Sequence, residues 1–167
     1  MRSRLIVGVV LATLALAACA GKTALPTAEY LRAIDGVLGE AQQRSKVAPE
    51  DAPKWLEDRD FTIKKLSRDI ETLKDTIARL ERLEPPPEAS QAHEGLISNS
   101  STLIKVYEDM KRSVSEAKTP EEMQAFKDSL PIVEGVEAGK GFRQACQRLQ
   151  SLADRLAPGI DYACDQF

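Results

Sequence analysis

Two long amphipathic segments, joined by three consecutive prolines, constrain the fold of this chain more than any other feature of its sequence. In the first segment, about Pro53 to Glu84, apolar residues alternate at spacings of three and four: Ile63, Leu66, Ile70, Leu73, Ile77 and Leu80. In the second, about Glu88 to Lys118, the same spacing runs through Ala89, His93, Leu96, Ser100, Leu103, Tyr107, Met110, Val114 and Ala117. This spacing predicts helices, and Pro85-Pro86-Pro87 ends the first of them. The sequence therefore predicts an antiparallel helical hairpin.

The flanking sequence also carries helical signals. Thr27 is the expected N-cap of a helix that ends near Arg44, and Thr119 is followed by Pro120 and by Glu122, as in a capping box. Pro131 separates that short helix from a last one, about Ile132 to Leu156. Asp51 could cap the long helix that starts at Pro53. With few aromatic residues and no convincing strand, the sequence predicts an all-α fold: an antiparallel up-down four-helix bundle whose fourth helix is interrupted near Pro131.

The first residues of the chain have the features of an export signal. Arg2 and Arg4 precede the uncharged run Leu5–Ala18, which is shorter than the roughly 20 apolar residues that span a bilayer but suits a signal peptide. The run ends in Leu16-Ala17-Ala18-Cys19, which resembles the lipobox of bacterial lipoproteins. The resemblance implies that residues 1–18 are removed and that Cys19 becomes an acylated N-terminus. Because Ala20 rather than Asp follows, it also implies the outer membrane where the cell has one.

Lipidation would divide the mature chain into a tether, residues 19–26, and a helical domain, residues 27–167. Two or three acyl chains anchor a protein stably where one chain is marginal, so the membrane is the first expected partner. The seven residues from Ala20 to Pro26 reach about 25 Å at most, which would keep the domain close to the bilayer. The alternatives are an ordinary signal peptide cleaved after Ala18, with a coincidental cysteine, and an uncleaved anchor.

Two cysteines remain once Cys19 carries lipid. An even pair in an oxidising compartment usually forms a disulfide, and the turn at Pro158-Gly159 allows the tail to fold back along the last helix. The sequence therefore predicts a bond between Cys146 and Cys164. A free, buried Cys146 and a redox-active pair are the alternatives, although the pair lacks the Cys-x-x-Cys spacing.

The single histidine, His93, lies on the stripe of the third helix, one helical repeat before Ser100. It is either part of a buried polar site that contacts a ligand or, as we favour, a stripe-edge residue that reaches solvent or the second helix. Because Ser90 stands three residues before it, the Glu-x-x-His motif of di-iron bundles is absent. No metal or cofactor is predicted. The charge runs Glu57–Asp60 and Lys64-Lys65 are expected on a solvated face.

The formal net charge of −3 argues against nucleic-acid binding, and no nucleophile motif stands out. Gly135, Gly139 and Gly141 follow no apolar strand, so they are expected to let helices approach closely rather than to bind phosphate. The sequence favours a non-enzymatic, lipid-anchored envelope protein that acts as an accessory or structural module by contact with another envelope protein. The alternative is a bundle that binds a small apolar ligand near His93 and Ser100. The Ile and Leu stripe of the second helix also permits a homodimer, but the adjacent third helix is the preferred partner.

Overall fold

The architecture is built from helices throughout the part of the chain that the structure describes. The structure, a computed structural model, describes residues 25–55, 57–129 and 132–164, so residues 1–24 with Cys19 lie outside it. Its elements are α1 (Thr27–Ser45), a 3-10 helix (Pro49–Lys54), α2 (Arg59–Leu80), α3 (Ser90–Glu116), α4 (Pro120–Ser129) and α5 (Ile132–Leu156). Those residues contain no strand. The predicted all-α class is confirmed.

The helices pack against one another as in a bundle, which confirms that part of the prediction. α3 packs along both α2 and α5, and α1 also contacts α2 and α5. The short α4 lies against α3. Each of the four longest helices thus packs against at least two of the other three.

The start of α2 differs from the prediction. Pro53 belongs to the 3-10 helix, and α2 begins six residues later at Arg59. Asp58, not Asp51, is the N-cap, because its side chain accepts a hydrogen bond of 2.9 Å from the backbone N–H of Phe61. A carboxylate at this position satisfies one of the free N–H groups of the first turn, so this residue fixes where the helix starts.

The other helix ends agree with the prediction to within a few residues. α2 ends at Leu80 rather than Glu84, and α3 begins at Ser90 rather than Glu88. Thr27 is the first residue of α1 and not its cap; its hydroxyl donates instead to Glu88 at 2.5 Å.

The predicted capping box at the start of α4 is present. The backbone N–H of Glu122 donates to the Thr119 hydroxyl at 3.2 Å, and the Thr119 N–H donates to the Glu122 carboxylate at 3.1 Å. α4 ends at Ser129 and α5 begins at Ile132. The predicted break at Pro131 falls between them, on residues outside the described part.

Buried apolar side chains form two separate clusters. The larger one contains residues from α1, the end of α2, the start of α3, α5 and the tail: Tyr30, Leu31, Ile34, Val37, Leu38, Leu80, Ala89, Ala92, Leu96, Phe142, Ala145, Cys146, Leu149, Leu152, Ala153, Ala157, Tyr162 and Cys164. The smaller one joins the end of α3 to α4: Val114, Ala117, Met123 and Phe126. Four further buried apolar side chains on α2 and α3 belong to neither cluster: Leu66, Ile70, Ile104 and Val106.

The glycines of α5 have different surroundings. A Cβ atom at Gly141 would lie 2.2 Å from the side-chain oxygen of Asn99, and one at Gly135 would lie 3.3 Å from Val106, both on α3. These two glycines therefore let α5 approach α3 closely, as expected. A Cβ atom at Gly139 would meet no atom within 4 Å, so the expectation does not hold there.

The tail after α5 folds back and is held at several points. Cys146 and Cys164 lie at disulfide distance, with their Cα atoms 5.7 Å apart. The hydroxyl of the buried Tyr162 donates to the Leu31 carbonyl oxygen at 2.9 Å, and its backbone N–H donates to Gln150 at 2.9 Å. The tail is thus joined to both α5 and α1.

Candidate functional site

A cavity of about 240 Å³, the inner cavity, lies between the long helices and borders the larger apolar cluster at Leu38 and Phe142. α1, α2, α3 and α5 all contribute to its lining: Leu38, Ala41, Ser45, Lys65, Asp69, Thr72, Leu73, Thr76, Leu103, Tyr107, Gly139 and Phe142. The surface that these residues present to the cavity is mainly apolar. The inner cavity therefore has the character of a small-molecule site, in which apolar walls surround a few polar groups.

A second cavity of about 380 Å³, the outer cavity, adjoins the first beside the 3-10 helix. It is lined by Ser45, Val47, Ala52, Trp55, Lys65, Asp69 and Tyr107. Four of these residues also line the inner cavity, so the two cavities adjoin each other and are here together called the cleft. The 3-10 helix, through Ala52, and Trp55 form part of the wall of the outer cavity.

A buried ion pair stands where the two cavities meet. Lys65 and Asp69 are one turn apart on α2, and the Lys65 ammonium contacts one carboxylate oxygen, Oδ2, of Asp69. Their side chains are only 13% and 9% exposed. The ammonium also lies 5.7 Å from the centre of the Trp55 ring, within the range of a cation–π contact. The expectation that Lys65 belongs to a solvated face is wrong, because these two partners hold its charge inside the cleft.

The second carboxylate oxygen of Asp69, Oδ1, is buried and has no hydrogen-bond partner among the described residues. Two hydroxyls of the same cavity lining are already used. Thr72 and Thr76 each donate to a backbone carbonyl one turn earlier on α2, at 2.8 Å. Since a buried acceptor without a donor costs about 1–3 kcal/mol, most such atoms in proteins are paired. The cleft therefore offers one strong, unused acceptor.

Tyr107 supplies the other ionisable group of the cleft wall. Burial and the nearby negative charge of Asp69 both raise the pKa of the Tyr107 hydroxyl. The phenol consequently stays neutral at any physiological pH, and Lys65 with Asp69 forms a pair of opposite charges. The groups that line the cleft thus carry little net charge in total.

The two polar residues singled out in the sequence lie elsewhere. His93 is buried against α1, where its Nδ1 and the Tyr30 hydroxyl share a hydrogen bond of 2.8 Å. The expectation that it reaches solvent or α2 is therefore wrong. Ser100 is fully buried, and its hydroxyl has no partner within the described part of the chain. Neither residue lines the cleft.

Burial of His93 makes the stability of the bundle depend on pH. Burial lowers the pKa of the imidazole, although the charges of Glu94 and Glu84 oppose this. The unfolded chain then binds a proton at a higher pH than the folded one, so stability should fall as the pH drops below about 6.5, by at most about 1.4 kcal/mol per pH unit. Urea unfolding of the wild type and of His93→Gln at pH 7.5 and 5.5 measures this. A loss of stability on acidification that is equal in both proteins would contradict it.

The sequence reading missed Lys65, Asp69 and Tyr107 as site residues. A signal for Asp69 exists on α2, where Thr62, Asp69 and Thr76 follow one another at intervals of seven and are all buried. Residues seven apart lie on the same side of a helix. This row of polar residues beside the apolar stripe therefore indicates that the buried face of α2 is partly polar.

Comparisons of the chain with family models, with curated proteins and with solved structures gave no match. None of the helices within the described ranges combines the length and apolar character needed to cross a membrane. Among the same residues, no group of three or more His, Cys, Asp or Glu side chains is placed to hold a metal ion. The cleft is accordingly the feature on which a functional assignment rests.

Proposed function

We propose that this protein is a lipid-anchored, extracytoplasmic binding module of the cell envelope, acting by binding rather than by catalysis. The location follows from the N-terminal sequence, in which Leu16-Ala17-Ala18-Cys19 resembles a lipobox. On this proposal Cys19 carries the lipid, and the outer membrane is its site where the cell has one. The oxidising environment there would keep Cys146 and Cys164 joined.

The proposed body is an antiparallel up-down bundle of α1, α2, α3 and α5. Its support is the packing of each of these helices against two of the others. The 3-10 helix and α4 are additions at the connections.

The function that the geometry supports best is the binding of a small, largely apolar molecule in the cleft. The observation that carries this proposal is the buried Asp69, whose unused oxygen stands beside a cavity of about 240 Å³ with mainly apolar walls. Apolar walls supply affinity, and a single polar group fixes orientation. The ligand site is thus proposed near Asp69 and Tyr107 rather than near His93 and Ser100.

Gly139→Leu should abolish binding in the cleft without unfolding the protein. A Cβ atom at Gly139 meets nothing within 4 Å, so the leucine can extend into the inner cavity and occupy space that a ligand would use. Ethylbenzene is a suitable probe, and the fluorescence of Trp55, the single tryptophan, reports on the cleft. We expect at least a tenfold loss of affinity.

Gly36→Leu is the matched control, because Gly36 is exposed on α1 and also has no atom within 4 Å of a Cβ position. It should bind ethylbenzene like the wild type. Unchanged binding by Gly139→Leu, or no binding by the wild type, would argue against a ligand-binding cleft.

Cys19→Ser should abolish lipidation, because acylation needs the thiol. The variant should stay as an unprocessed precursor or lose its acyl modification. Intact-mass measurement of the wild type should show an acyl adduct on Cys19, whereas the variant should show none. A wild type without acyl mass would contradict the lipoprotein assignment.

Contact with another envelope protein is the second candidate function. It is favoured by a surface groove between α2 and α3, lined mostly by polar and charged residues: Ser67, Ile70, Glu71, Lys74, Glu108, Lys111, Arg112 and Ser115. Polar, solvent-accessible surfaces of this kind are usual at the rims of protein interfaces. Crosslinking of the lipidated protein in its native cell should yield an adduct that Lys111→Glu weakens and Lys105→Glu, on an exposed part of α3, does not.

A further inference from the structure

We propose that the ligand of the cleft is a neutral molecule of about ten non-hydrogen atoms, with one O–H or N–H group that donates to Asp69 Oδ1 and an otherwise apolar body. This inference rests on the proposed ligand-binding function and specifies the chemistry of that site. Three properties of the cleft lead to it: volume, hydrogen bonding and charge.

The volume limits the size of the ligand. An apolar cavity of about 150 Å³ in a protein binds benzene, which has six non-hydrogen atoms. In proportion, the inner cavity of about 240 Å³ holds about ten such atoms. A long acyl chain or a multi-ring lipid would have to extend beyond the inner cavity, whereas a single substituted ring or a short branched chain fits inside it.

Hydrogen bonding requires a donor on the ligand. Asp69 Oδ1 accepts no hydrogen bond from any described residue, and Oδ2 is already held by Lys65. The Thr72 and Thr76 hydroxyls are committed to carbonyl groups of their own helix. A ligand that presents only acceptors would leave Oδ1 buried and unpaired, whereas an O–H or N–H group would satisfy it. A hydrogen bond to a charged acceptor is stronger than one between neutral groups.

Charge balance favours a neutral ligand over an amine. Lys65 already compensates the carboxylate of Asp69, and both side chains are nine-tenths or nearly nine-tenths buried. An ammonium group in the inner cavity would be the second positive charge beside a single carboxylate. It would lose its hydration on burial and would find no unpaired negative charge to compensate that loss. A carboxylate ligand would lie against Asp69. A neutral donor avoids both costs.

Two isomeric probe molecules distinguish the contribution of a hydrogen-bond donor to affinity from the contribution of molecular shape. 4-Ethylphenol and 4-methylanisole have the same atoms and nearly the same size, but only the phenol has an O–H group. We expect the wild type to bind 4-ethylphenol about tenfold more tightly than 4-methylanisole, as measured by calorimetry. Fluorescence of Trp55, excited at wavelengths that phenols do not absorb, is a second readout. 4-Methylbenzylamine, the cation of matching shape, should bind more weakly than the phenol.

A double variant tests whether Asp69 is the acceptor. Lys65→Met/Asp69→Leu removes both charges together, because Asp69→Leu alone would leave the buried ammonium unpaired. It should keep the affinity for 4-methylanisole and lose the tenfold preference for the phenol. Glu40→Gln/Arg79→Met, which removes an exposed ion pair between α1 and α2, is the control and should keep the preference.

The outcomes distinguish this inference from the function on which it rests. Equal affinity for the two isomers, a preference retained by Lys65→Met/Asp69→Leu, or tightest binding of the amine would overturn the inference while leaving a ligand-binding cleft intact. Failure of all three probes and of ethylbenzene would instead overturn the proposed function, and the inference with it. Circular dichroism of each variant shows that the helices are retained.

Discussion

Leu96→Asp should lower the free energy of unfolding by about 4 kcal/mol or more, the largest effect expected of any single substitution in this protein. Leu96 is fully buried in the larger apolar cluster, where α3 meets α1 and α5. The substitution removes apolar contacts, which alone cost about 2–5 kcal/mol, and places an unpaired carboxylate in the core. Urea unfolding followed by circular dichroism measures the change. If the variant does not fold, the loss exceeds the whole free energy of unfolding of the wild type, which also agrees with the prediction.

Lys74→Ala is the control for this substitution. Lys74 is exposed and pairs with Glu108 across the surface at 2.8 Å, and exposed pairs contribute about 0.5 kcal/mol or less. Leu73→Asp should give an intermediate loss, since Leu73 is half-buried and lines the cleft. Equal tolerance of all three substitutions would contradict the packing described above.

Removal of the Cys146–Cys164 bond should cost about 3 kcal/mol. The bond closes a segment of 18 residues, and in the chain-entropy account such a loop restricts the unfolded chain by about this amount. The double variant Cys146→Ala/Cys164→Ala, compared with its parent by urea unfolding, measures the loss. Both proteins should carry Cys19→Ser so that no other thiol is present.

Reductant gives an independent check of the same bond. It should destabilise the parent protein and leave the double variant unchanged. Digestion without reductant, followed by mass spectrometry, should show the peptides with Cys146 and Cys164 joined. Free thiols at both positions in protein isolated from its native cell would contradict the bond and would also weaken the proposal of an oxidising compartment.

The sequence predicted the helices well because their signals are local. The capping box at Thr119 and the spacing of apolar residues in α3 each depend on neighbouring residues alone. The start of α2 was misplaced because Asp51 followed by Pro53 is itself a typical helix start, whereas the cap in the structure is Asp58. Pro53 belongs to the 3-10 helix, and only the structure shows that the segment stays separate from α2.

The cleft could not be predicted because it depends on how four helices pack. The apolar stripe of α2 suggested that Ile63 and Ile77 face the core, yet both are only half-buried, whereas Asp69 and Thr76 are buried. α2 is thus rotated about its own axis so that the row of Thr62, Asp69 and Thr76 faces the interior of the bundle. A Lys and an Asp four residues apart usually form a surface pair, so spacing alone cannot show that this pair is enclosed.

The hydrogen bonds at the start of α1 also determine how the bundle would respond to mechanical load. The described chain begins just before α1, whose first two turns are joined to α3 by the Tyr30–His93 bond and to the tail by the Tyr162–Leu31 bond. A lipid on Cys19 would transmit any pull from the membrane to this end. The cleft lies toward the other end of α1, beside Ser45, about 27 Å from Thr27. Traction on such a lipid would therefore act first on the disulfide-joined end of the bundle rather than on the cleft.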